Sequence, residues 1–90
     1  MASEPQEGAL APVAPSRVAE ELRRLSSKRR NGELDADEYE HRFARMISEL
    51  RDRRIAGSRA EILAVLSPLK DDGEVRLEEW DRLIRQLGLV

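Results

Sequence analysis

Leu22-Arg23-Arg24-Leu25-Ser26-Ser27-Lys28-Arg29-Arg30-Asn31-Gly32-Glu33-Leu34-Asp35-Ala36-Asp37-Glu38-Tyr39 is the stretch on which the fold turns. Val18, Leu22 and Leu25 recur at spacings of four and three, one stripe of a helix. The basic run Lys28-Arg29-Arg30 suits the negative end of a helix dipole. Asn31-Gly32 then stops the helix, because glycine takes the left-handed conformation at little cost. Asp35 and Glu38 form a capping box that starts a second helix. Tyr39 opens its apolar face, and Phe43, Met46, Ile47 and Leu50 continue it. This second helix is expected to run to about Arg53 or Arg54, with Glu40, Arg45, Glu49 and Arg53 facing outward. Upstream, Ser16 is the expected cap of the first helix, with Pro15 just outside it.

The pattern returns at an offset of 41 residues. Leu22, Leu25 and Ser26 fall on Leu63, Leu66 and Ser67. Gly32-Glu33-Leu34 falls on Gly73-Glu74-Val75, and Glu38-Tyr39 on Glu79-Trp80. Phe43 falls on Ile84 and Met46 on Leu87. Two readings fit: a true repeat, or two generic hairpins that need the same residues. Gly57-Ser58 separates the units, and Ser58 with Glu61 makes another capping box. Ile62, Leu63, Val65 and Leu66 give a short third helix, expected to halt at Ser67-Pro68 because the residue before proline avoids the α region. Leu77, Trp80, Leu83, Ile84 and Leu87 give a fourth, ended by Gly88, with Leu89-Val90 expected to tuck onto the core.

The expected fold is all-α: four short helices over residues 16–90, as hairpins 16–54 and 58–88. The expected core holds Leu22, Leu25, Leu34, Tyr39, Phe43, Ile47, Leu63, Leu66, Val75, Trp80 and Ile84. Residues 1–15, with Pro5, Pro12, Pro15 and Gly8, read as a disordered tail carrying a weak apolar patch at Leu10-Ala11-Pro12-Val13.

Leu22-x-x-Leu25, then Gly32-Glu33-Leu34-Asp35-x-Asp37-Glu38-Tyr39, then Ala44 and Ile47 resemble the short helical-hairpin domain family called SHOCT. The resemblance covers residues 22–50, and 63–87 more weakly. Asp35 stands where that family has a capping Thr, and Lys28 stands where it often has Leu. The second half keeps Leu69, Gly73, Val75, Glu79 and Trp80, but has Arg76 at the cap and Pro68 where a helix should continue. The resemblance implies a bacterial or phage origin and an oligomerising or protein-binding role, with no catalytic residues to carry over.

Composition bounds the chemistry. Ninety residues, 40% hydrophobic and 38% charged, allow one domain with a thin core. Once that core closes, little is left for a catalytic pocket. The absence of cysteine excludes disulfides, thiolate metal sites and a Cys nucleophile. No basic start leads into an apolar run, and no stretch approaches the roughly 18–20 apolar residues of a membrane span, so a cytoplasmic location is expected. Net charge is −2 overall. Residues 16–54 hold 11 basic and 9 acidic groups, and 55–90 hold 5 and 7, so neither half is strongly polarised.

Arg23, Arg24, Lys28, Arg29 and Arg30 are the candidate partner-binding residues, with Arg51, Arg53 and Arg54 behind them. Glu20, Glu21, Glu49 and Asp52 lie close enough along the helices to pair with them. No aromatic is interleaved for base stacking. A solvated face, an acidic protein partner and a phosphate backbone are the three readings. His41, the only histidine, has Asp37 four residues before it, fewer ligands than a zinc site needs. A calcium loop would need oxygen ligands where Arg29, Pro68 and Lys70 stand. No phosphate-cradling glycine loop occurs. The expectation is a non-enzymatic protein–protein interaction module without cofactor or metal, an accessory subunit or inhibitor of a larger assembly. The alternatives are a homo-oligomerisation module, or nucleic-acid binding through the arginine cluster. Neither a membrane nor a small-molecule substrate is expected as partner.

Overall fold

Both predicted hairpins form. In the computed structural model, residues 11–90 are described, and they contain α1 (Pro15–Arg30), α2 (Ala36–Arg53), α3 (Arg59–Asp71) and α4 (Leu77–Gln86). The two glycine turns are built alike. The Asn31 N–H donates to the Ser27 carbonyl, and the Asp72 N–H to the Pro68 carbonyl 41 residues on. The pairs Gly32 to Arg29 and Leu34 to Lys28 recur as Gly73 to Lys70 and Val75 to Leu69. Gly32 and Gly73 take φ of 79° and 81°, a left-handed conformation open to glycine but strained for side-chain-bearing residues. Leu34 and Val75, each two positions on, are buried and plug the corner of their hairpin. The offset read from the sequence is therefore a structural repeat through the turn and into the next helix.

Beyond Tyr39 and Trp80 the halves diverge. In α2 the buried positions after the aromatic are Phe43, Met46, Ile47 and Leu50. In α4 Leu83 is fully buried and Ile84, the counterpart of Phe43, only partly. The two helices start at equivalent positions, but α4 has ten residues against the eighteen of α2, and its burial centres one position earlier.

One core joins the hairpins. α1 packs chiefly on α3, with further contacts to α2, and α2 meets α4. Phe43, Leu22, Ile47, Leu66, Leu69 and Leu83 are among its largest fully buried side chains. Nine of the eleven expected core residues are buried; Leu63 and Ile84 are half-buried at its margin. Leu89 is buried as expected, but Val90 is exposed. Leu77 opens α4 and is also exposed, so it is not on the packed face.

Three boundaries differ from the sequence reading. First, Ser16 does not cap α1: Ala14 is the N-cap, no side chain caps it, and Pro15 lies inside the first turn. Proline suits that position, since its missing N–H is one the first turn leaves unpaired anyway. Second, α3 does not halt at Ser67-Pro68 but continues to Asp71. The bond proline forfeits is the one to the Ala64 carbonyl, and Ala64 is on the exposed face where water can take that role. Leu69, just beyond, is fully buried, and this packing holds the last turn helical. Third, ordered structure starts inside the stretch read as tail. Val13 forms a parallel bridge with Ile55: its N–H donates to the Arg54 carbonyl at 2.9 Å and its carbonyl accepts from Ala56 at 2.8 Å. The segments entering α1 and α3 are thus tied side by side. The rest of the expected disordered tail, residues 1–10, lies outside the described residues.

Candidate functional site

The arginine cluster on α1 divides into two groups. Arg29 turns inward. Its Nη1 donates to Glu79 Oε2 at 3.0 Å, and its guanidinium lies 3.8 Å from the centroid of the Tyr39 ring. Both partners of this ion pair are largely shielded, with side-chain exposures of 17% and 11%. Glu79 Oε1 also accepts from the Tyr39 hydroxyl at 3.2 Å and from the Arg76 N–H at 3.1 Å. This carboxylate caps α4 and ties it to both helices of the first hairpin. Burial, and then the negative charge of Glu79, push the Tyr39 hydroxyl up to about 12.

Arg30 also reaches across the hairpins, pairing with Glu74 at 3.2 Å and donating to Ser26 Oγ at 3.1 Å. The Arg30 hydrogen bond holds the Glu74 carboxyl below the usual range. Arg24 pairs on the surface with Glu21. Arg23 and Lys28 line a shallow dip with Glu20 and Glu33. Of the five candidate contact residues, then, two act between the hairpins and three face outward amid carboxylates.

The repeat places a cation at the point of the second hairpin equivalent to Arg29. Lys70 stands 41 residues later and lies 5.5 Å from the Trp80 ring. In each hairpin a cation from the last turn of one helix covers the aromatic in the first turn of the next, an arrangement favoured by the ring's negative face. Tyr39 and Trp80 are buried, as expected of core anchors.

A concavity of about 770 Å³ runs between α1 and α2. Val18, Met46 and Leu50 form its floor. Its rim mixes Arg17, Arg24, Arg42, Arg45 and Arg53 with Glu20, Glu21 and Glu49. Of these, Arg45 and Arg53 were expected to face outward, while Arg17 and Arg42 were not named from the sequence, although Arg17 and Arg24 are seven apart and Arg42 and Arg45 three apart, spacings that keep each pair on one helix face.

His41 and Asp37 are both exposed on α2. Among the described residues, no three histidine or acidic side chains gather where they could hold a metal ion, and no helix is long and apolar enough to cross a membrane. Comparison of the chain with protein-family models, with curated proteins and with solved structures finds no match.

Proposed function

We propose that this chain is a small, non-catalytic protein-binding module that works in the cytoplasm as an accessory subunit or inhibitor of a larger assembly. The observation that carries this reading is the α1–α2 groove, a concavity of about 770 Å³ with an apolar floor and a rim of both charge signs. Alternating signs suit a protein surface, where registered charge pairs give specificity. In this groove a phosphate backbone would meet Glu20, Glu21 and Glu49 as well as the arginines, which weakens its attraction there. The shielded Arg29–Glu79–Tyr39 cluster is engaged in joining the hairpins. The SHOCT resemblance of residues 22–50 supports the same class of function. The homo-oligomer alternative calls for hairpins that complete one another's cores, and here two hairpins do so within one chain.

A nuclease-treated pull-down from native lysate tests the proposal, comparing the full chain with a variant carrying Arg42→Glu and Arg45→Glu. A stoichiometric protein partner, lost or strongly reduced with the variant, is the expected result. Recovery of nucleic acid alone before nuclease treatment, or of nothing beyond the chain itself, would contradict it.

A further inference from the structure

A second cleft, about 450 Å³, lies where the end of α2, the start of α3 and the end of α4 converge. Every charged residue lining it is an arginine: Arg51, Arg54 and Arg59. This is a concentrated positive site on a chain whose net charge is −2. Its floor is apolar, with Ile55, Leu87 and the buried Leu89. Arg59 is fixed at the rim, its Nε donating to the Leu89 carbonyl at 2.6 Å, which leaves its two Nη groups for other contacts. Among the described residues, no ion pair engages Arg51 or Arg54.

The backbone supplies an independent observation. Arg54 has φ 73° and ψ 160°, and it is the one described non-glycine residue with positive φ. That region is essentially reserved for glycine, and residues held there concentrate at binding and switch sites. Glycine would close α2 here without strain. An arginine at this position keeps a guanidinium on the cleft at the expense of backbone preference.

We infer that this cleft docks an acidic segment of a partner protein, an apolar side chain seated on Ile55, Leu87 and Leu89 with flanking carboxylates held by Arg51, Arg54 and Arg59. Guanidinium groups grip carboxylates through paired hydrogen bonds, and the apolar floor gives such a peptide a contact that a bare phosphate backbone lacks. The inference rests on the reading of the chain as a protein-binding module and names a second contact site for it.

Selection of short displayed peptides on the full chain tests it. The expected winners carry an apolar residue flanked by Asp or Glu. Their affinity should fall about tenfold or more with Arg51→Glu and with Arg54→Gly, while Arg54→Gly leaves the melting temperature unchanged or raised. Winners without acidic residues, or binding that survives both substitutions, overturn the site. If that binding falls instead with Arg42→Glu and Arg45→Glu, the module reading stands and only this cleft is lost. No enrichment at all sinks both. A short oligonucleotide that displaces the peptides from the cleft and binds it more tightly overturns the acidic-peptide assignment in favour of phosphate. Earlier melting of Arg54→Gly overturns the strain argument.

Discussion

Glu79 gathers donors from three places in the chain: Arg29 on α1, Tyr39 on α2 and the Arg76 N–H at the start of α4. Removing its charge leaves the shielded Arg29 without its anion. Breaking such a pair from one side costs about 3 kcal/mol, so Glu79→Gln should lower stability by that order in a urea titration. The exposed Arg24–Glu21 pair is the contrast: Arg24→Ala should cost below about 1 kcal/mol. Tyr39 predicts a pH effect of definite sign. Its folded pKa, about 12, is above the value of 10.0 it has when unperturbed. Its contribution is therefore complete below pH 10 and is lost as pH rises toward 12, on the order of 2 kcal/mol in all. Alkaline melts should show this loss, and Tyr39→Phe should flatten it. From the sequence Tyr39 was legible as a core anchor, because its place in the first turn of α2 fixes its face. The lock was not legible. Arg29 sits in a run of cations that local rules assign to solvent, and only the crossing of the second hairpin brings Glu79 beneath it.

At the scale of elements, the turns were the most readable part of the chain. A left-handed glycine, an acidic cap three residues after it and a capping box are local signals, and Gly32 and Asp35 provide them without help from the rest of the fold. Gly73 obeys the same rule although Arg76 replaces the capping aspartate; Glu79 still accepts from the Arg76 N–H, which preserves half of the box. An added Cβ meets nothing within 4 Å at Gly32 or at Gly73. The penalty of alanine there is purely conformational, about 1–2 kcal/mol. Gly32→Ala and Gly73→Ala should therefore destabilise by nearly equal amounts in chemical denaturation, and a marked inequality would argue against equivalent turns. The end of α3 was misread for the opposite reason. The rule against helix before Pro68 is local, and it yields to the burial of Leu69 against the core. The Val13–Ile55 bridge is longer in range still, pairing residues 42 apart that carry no mutual signal in sequence.

For the whole molecule, two hairpins that are each too small to enclose a core enclose one together. Val18 and Leu22 of α1, Phe43 and Ile47 of α2, Leu66 and Leu69 of α3, and Leu83 of α4 meet in a single cluster. The apolar surface that would drive self-association is thereby used inside one chain, and the grooves that remain outward are edged with charge. Composition indicates the thin core, and the apolar stripes with their caps indicate the all-helical class. Neither could indicate which arginines stay outward, since that depends on how α1 crosses α3. The most direct test of this account is the mass of the chain in solution, by light scattering across a wide concentration range, with melting temperature followed in the same samples. A self-sufficient fold predicts a 10.3 kDa monomer throughout and a melting temperature that does not move with concentration. A mass of twice that value or more, with melting that rises as the chain is concentrated, would mean that the hairpins find their partners in a second copy and would contradict the account.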